Sequence, residues 1–221
     1  MHYQFDFSVV WTNWRFLLSG LVITLEVTSL ALLFASLIGV VVGVGRVSRH
    51  SLFRLPAFAV IGVLRNTPTL VQLIWVYYCL PIFLGFSVTP VMAAVIALSL
   101  TGGAYLAEIV RGGIQGIDRG QIEAAHTIGL SDLQTMRFVV LPQALRLMVA
   151  PFVNEFITLL KFSSLASVIG VADLTYTAQE LSSSAFRPIE TFTFLGIEYF
   201  VLCSVLSSLA RLVSGRFAVP A

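Results

Sequence analysis

Charged side chains are scarce in this sequence: Asp, Glu, Lys and Arg together make up 11% of its 221 residues, about half the share of an average soluble domain. With 57% of the chain hydrophobic, that shortage excludes water as the main solvent. The net charge is only +2 and the basic residues are scattered singly, which excludes nucleic acid as a partner. Lysine occurs once, as Lys161 in Leu159-Leu160-Lys161-Phe162. A loop that grips nucleotide phosphates needs a glycine-rich backbone followed by Lys and Ser or Thr, so the chain carries no site for ATP and is not expected to be an enzyme. Cys79 and Cys203 sit inside apolar runs, and His2, His50 and His126 occupy unrelated segments. That leaves no metal-ligand spacing and no clustered nucleophile, and the cysteines read as packing residues.

No repeat of fixed period, linker or low-complexity tract interrupts the chain, so residues 1–221 are expected to form one domain. The segment up to Arg15 contains Asp6 but no short apolar core followed by a small-residue cleavage site; a cleaved signal peptide is not expected.

What the chain has instead is long apolar segments. Crossing a hydrocarbon core of about 30 Å takes about 20 apolar helical residues. Segments from Phe16 to Val44, Thr69 to Phe86, Val91 to Val110, Leu145 to Leu160 and Phe192 to Val213 fit that requirement, so the fold class is an all-α integral membrane protein with five transmembrane helices. Leu52 to Leu64 is apolar but flanked by Arg54 and Arg65, and is expected to lie along the membrane interface. A further helix is expected outside the spans from Asp173 to Ser184.

Orientation follows from arginine placement. Arg46, Arg49, Arg54 and Arg65 lie between the first two spans, Arg111, Arg119, Arg137 and Arg146 between the third and fourth, and Arg211 and Arg216 after the fifth. Positive charge is retained in the cytoplasm. The amino terminus is therefore expected outside and the carboxyl terminus inside, and an odd number of spans agrees with that charge pattern. In the first span Gly39 and Gly43 present a small-residue face, which serves either packing within the chain or contact with a second subunit.

Between the third and fourth spans the sequence specifies an elbow. Gln121 to Ile128 is a good helix former, Gly129 can end it in a left-handed conformation, and Ser131 can cap a second short helix. Ala124 and Ala125 leave a small-residue surface, and Glu123 is free to pair with a basic group. This stretch reads Glu123-Ala124-Ala125, then Gly129, then Val139, then Leu141-Pro142. It resembles the EAA signature of ABC importer permeases, with Val139 where the family pattern has Ile. The resemblance implies the type I ABC importer permease fold and a bacterial inner-membrane location. It further implies that Glu123, Ala124, Ala125 and Gly129 form a helix coupling to the ATP-binding subunit, with Leu141 and Pro142 marking the return to the membrane. It also implies partners: two copies of an ATPase subunit that holds the ATP and magnesium, a second permease subunit, identical or homologous, and an extracytoplasmic solute-binding protein. This chain itself is expected to need no cofactor.

Three more stretches, Leu64-Arg65-Asn66-Thr67-Pro68, Gly102-Gly103-Ala104-Tyr105-Leu106-Ala107-Glu108 and Asn154-Glu155-Phe156-Ile157 through Lys161, are similar to the polar amino-acid branch of these permeases. The branch includes the histidine, glutamine, arginine and acidic amino-acid systems. In relatives the residue after this lysine is often Asp; here it is Phe162, which removes an acceptor suited to a cationic solute.

The intramembrane charges point the same way on their own. A charged group at mid-span costs about 2.5 to 3.5 kcal/mol on insertion scales, so it faces a cavity or a partner. An amino acid carries an ammonium and a carboxylate. Glu108 or Glu155 can accept the first; Lys161, Asn154 and the hydroxyls of Ser163 and Ser164 can contact the second. Against a substrate role, Glu108 can pair with Arg111 on its own helix, and Lys161 can extend to the interface. Glu26, between Thr24 and Thr28, is a further acid in the first span. The competing functional reading is an ion-coupled secondary carrier, but carriers of that kind have paired repeats and broken helices that this sequence does not show.

Overall fold

A computed structural model describes residues 4–217, with side chains to residue 212; His2 and the side chain of Arg216 lie outside the described part. Among the described residues nine helices follow one another: α1 (Ser8–Thr12), α2 (Trp14–Val47), α3 (Ser51–Asn66), α4 (Thr69–Leu84), α5 (Pro90–Gln115), α6 (Arg119–Thr127), α7 (Asp132–Ile169), α8 (Leu174–Ala185) and α9 (Pro188–Phe217). Helices α2, α5, α7 and α9 are long and apolar enough to cross a membrane. At 1.5 Å of rise per residue, α4 alone falls short of the hydrocarbon thickness. A fifth span is reached only if α3 and α4, separated by a break at Thr67-Pro68, count together. The stretches Leu52 to Leu64 and Asp173 to Ser184 are helical, as α3 and α8, the latter capped by Asp173, whose side chain accepts a hydrogen bond from the Tyr176 amide at 2.8 Å.

The fourth span differs from expectation. A short helix after Ser131 and a separate span from Leu145 are in fact one element, α7, which runs from Asp132 through Ile169 without a break. Pro142 has no N–H, and its ring crowds the carbonyl four residues back. A π-helical turn over Met136–Val140 widens the helix at that point, so the chain passes the proline instead of stopping. Leu141 and Pro142 therefore lie inside a helix. The same arrangement recurs in α4, where a π turn over Trp75–Cys79 precedes Pro81.

The chain divides into two compact units. The first contains residues up to Leu33, Thr67–Ser99 and Ile157–Leu206; the second contains Phe34–Asn66, Leu100–Phe156 and residues from Ser207 onward. In the first, Val10, Leu17, Ala178 and Leu181 form a core against Phe194 and Leu195. Thr24, fully buried, accepts a hydrogen bond from the Leu174 amide at 3.0 Å and ties α2 to the start of α8.

In the second unit the glycines of α2 are spent on packing within the chain. A Cβ at Gly39 would stand 2.5 Å from Leu106 Cβ, one at Gly43 2.7 Å from Val110 Cβ, and one at Gly103 2.6 Å from Ile38 Cγ2. The backbones of α2 and α5 approach too closely for any side chain at these positions, as small-residue helix interfaces in membranes do. Of the two uses expected for Gly39 and Gly43, contact within the chain is the one observed.

Candidate functional site

Two groups of residues in the second unit carry chemistry. The first is the elbow. Asp118 caps α6 by accepting from the Gly120 amide at 2.7 Å. At the other end Gly129 adopts φ +86°, and the Leu130 amide reaches back to the Ala125 carbonyl at 3.1 Å, a left-handed helix stop that favours glycine. Ser131 and Gln134 then form a reciprocal capping box at the start of α7, which satisfies two otherwise unpaired backbone donors. The elbow is thus capped on both arms, as the sequence predicts.

Its base is anchored by Ile117, Val140 and Ala144, packed with Ile114, Ile122 and Met148. Ala125 is buried, while Glu123, Ala124 and Gly129 face outward. No ion pair holds Glu123 among the described residues. Ile128 and Leu133 at the tip are each 78% exposed, an apolar surface with nothing of this chain on it. Asp132 braces the elbow from the side: its Oδ2 lies 3.3 Å from Arg49 in the α2–α3 link, and its Oδ1 lies 3.3 Å from His126 Nε2.

The second group surrounds Glu108 on α5. Its Oε2 accepts from Arg111 Nη2 at 2.7 Å and Nε at 2.9 Å, and Arg111 also donates to Gln115 at 2.6 Å. Arg46 and Arg65 each stand 3.9 Å away from the carboxylate. Their guanidinium groups are held over aromatic faces, Arg46 above Phe58 and Arg65 above Tyr105. Three cations therefore converge on one anion. The pairing with Arg111 is the local alternative read from the sequence; Arg46 and Arg65 are not foreseeable from spacing, because both arrive from other helices.

Of the other predicted site residues, Glu155 is 7% exposed, with Oε1 buried and without a hydrogen-bond partner. Asn154 and Lys161 are exposed; Lys161 belongs to the first unit and Asn154, Glu155 and Glu108 to the second. Ser163 and Ser164 donate their hydroxyl protons to the carbonyls of Leu160 and Lys161, both at 2.7 Å. A hydroxyl has one proton to give, so neither has a donor left for a carboxylate. Glu26 is exposed. A cavity of about 280 Å³ lies among Val40, Leu106, Val110, Met148 and Phe152, but its walls are apolar and offer nothing to a charged solute. No cluster of His, Cys, Asp and Glu suited to a metal occurs among the described residues.

Comparison with known proteins gives a consistent result. Residues 35–219 match the family model described as the binding-protein-dependent transport system inner membrane component. The chain is 36% identical over 217 residues to the glutamine transport system permease protein GlnP of Escherichia coli strain K12, covering 98% of this chain and 99% of that one. It is also 36% identical over 211 residues to the arginine transport system permease protein ArtQ of Bacillus subtilis strain 168, covering 96% of each. Its fold superposes on the crystal structure of an amino acid ABC transporter with histidines at a TM-score of 0.92, with 36% identity over 97% of this chain and 100% of that chain. The inward-facing MetNI methionine ABC transporter shares the fold at a TM-score of 0.81 and 22% identity, over 94% of this chain and 99% of that chain.

Proposed function

Because this chain belongs to the family of binding-protein-dependent transport system inner membrane components, we propose that it is the permease subunit of an ATP-driven importer of polar amino acids. It forms a single transmembrane domain in a bacterial inner membrane, with the amino terminus outside and the elbow and carboxyl terminus in the cytoplasm. The glutamine and arginine permeases at 36% identity support the solute class, and Phe162 beside Lys161 favours a solute whose side chain is not cationic.

The observation that carries the reading is the elbow. A transport subunit without a nucleotide site must receive work from a partner through a contact that does not yield. The α6 knob is capped at both ends, packed at its base, and bare at Ile128 and Leu133. Seated in a groove of an ATPase, it moves as a rigid body when two ATPase copies close on ATP and magnesium. That motion passes through the unbroken α7 into the membrane, and the pathway between this permease and its second copy or homologue alternates between outward and inward access. A solute-binding protein delivers the amino acid from outside. Glu108, Asn154, Glu155 and Lys161 are the polar groups proposed to meet it.

Purification with the cognate ATPase tests the reading. Two membrane subunits should copurify with two ATPase subunits, and Glu123→Ala should loosen the association and uncouple hydrolysis from uptake. Uptake by the permease alone, without any ATPase, is the outcome that sinks it.

A further inference from the structure

The link between α8 and α9, in the first unit, holds a strained residue. Phe186, which ends α8, has φ +55° and ψ 36°, and among the described residues it is the only one other than glycine with left-handed backbone. Glycine or asparagine fills such a position readily, whereas an aromatic residue strains it. The strain gains the fold no packing, because the ring is 84% exposed. A second ring of the same unit is held outward under tighter control. Phe5 is 66% exposed, and the backbone is gripped on both sides of it. Arg187 Nη1 donates to the Gln4 carbonyl at 2.6 Å, and the Asp6 amide donates to Glu190 Oε1 at 2.9 Å. Glu190 is fully buried and lies 3.5 Å from Arg187 Nη1. Arg187 directly follows Phe186, so one ion pair with a buried acid fixes the backbone beside both rings. Local strain that the packing does not need marks a functional position.

The surroundings select the occupant. The outward side of α8 reads Gln179, Glu180, Ser183 and Ser184, all exposed, a surface suited to water and not to lipid. The aromatic residues that anchor proteins at a membrane interface are Trp and Tyr, whose polar tips face water; phenylalanine has no such tip. Rigid apolar rings edged by polar side chains are the composition of a protein–protein contact. Rings fixed beforehand also lose little freedom when a partner binds. They stand on the amino-terminal side of the chain, and transport in the matched family depends on a binding protein. We propose that Phe5 and Phe186 are the anchors on which the extracytoplasmic solute-binding protein docks, inserting into an apolar recess of its surface with Glu180 and Ser183 at the rim. This rests on the reading of the chain as the permease of a binding-protein-dependent importer with its amino terminus outside.

The test uses the complete permease–ATPase complex in nanodiscs and the purified cognate binding protein, saturated with its amino acid. Affinity is measured by biolayer interferometry, and thermal unfolding is followed on the same samples. Phe186→Gly removes the ring and relieves the backbone. Binding should therefore weaken at least about tenfold, while the melting temperature holds or rises. Phe5→Ala should weaken binding to a similar degree, and Phe186→Tyr, which keeps a ring, should bind within about threefold of the native protein. Native affinity in Phe186→Gly overturns the docking contact and leaves the permease reading standing. A fall in the melting temperature of that variant would mean that the ring supports the fold, and loss of the two-to-two assembly with the ATPase that it holds permease copies together; either result overturns the contact as well. A binding protein that fails to bind the native complex, with or without ATP, overturns both the contact and the permease reading.

Discussion

Asp132 Oδ2 lies 3.3 Å from Arg49 Nη1, joining the first turn of α7 to the link between α2 and α3. The other oxygen of the same carboxylate faces His126 on α6 at 3.3 Å. One acid thus braces the elbow against a neighbouring loop. Its partners are well exposed, and such pairs contribute about 0.2–1 kcal/mol each to stability. Their value here is directional. Asp132→Ala should leave the melting temperature of the purified protein nearly unchanged yet raise the ATP hydrolysed per solute transported in the reconstituted complex. An unchanged ratio would show that the elbow is held by its apolar base alone.

Glu108 is the opposite case, an acid on which three arginines converge. Glu108→Gln leaves three guanidinium groups without a counter-charge and removes two charge-assisted hydrogen bonds. A loss of about 1.5–3 kcal/mol is expected, read as a lower midpoint in thermal unfolding in detergent. Because Arg111 is the bonded partner, Arg111→Ala combined with Glu108→Gln should cost less than the sum of the two single changes.

Glycines provide a paired comparison. Gly39→Ala places a Cβ 2.5 Å from Leu106, whereas a Cβ at Gly62 meets nothing within 4 Å. The first change should destabilise by about 1–3 kcal/mol through overpacking. The second should stabilise by about 0.5–1 kcal/mol, since Ala loses less backbone freedom within a helix. Equal behaviour of the two variants in the same melting assay would contradict the close approach of α2 and α5.

Much of this was legible before the fold was known, and the reasons differ by feature. The membrane class follows from composition. The elbow follows from local chemistry, because Gly129, Ser131 and Gln134 each do a job that nearest neighbours in sequence define. Asp173 as the cap of α8 is legible for the same reason. The continuity of α7 was hidden: Arg137, Pro142 and Arg146 look like a loop returning to the membrane, and only a π turn at Met136–Val140 lets one helix contain them. The convergence of Arg46 and Arg65 on Glu108 was hidden too, because it depends on where distant helices meet. The glycines of α2 announced a close contact without naming the partner.

Asp173 links the fold to pH. Burial pushes its carboxyl up to about 7 from an ordinary 3.8, against the opposing pull of the Tyr176 and Thr175 amides. The folded protein therefore holds this proton more tightly than the unfolded chain. Stability from that group is fully present below the unfolded value and is lost as pH rises through about 7. Asp173→Asn keeps a residue able to cap α8 and removes the titration. Melting temperatures measured between weakly acidic and weakly basic pH should fall for the native protein and fall less for the variant. Parallel profiles would remove Asp173 as the cause.

The most direct test of the proposed coupling is ATP-dependent uptake of labelled amino acids into liposomes holding this chain and its cognate ATPase, comparing native protein with Gly129→Val. The left-handed backbone at Gly129, φ +86°, is strongly disfavoured for a β-branched residue, so the substitution should distort the elbow while leaving the spans inserted. Uptake in the native complex should require ATP and the ATPase, and Gly129→Val should abolish uptake while ATP hydrolysis by the partner persists. Uptake that proceeds without the ATPase, or that survives Gly129→Val at the native rate, would contradict the coupling.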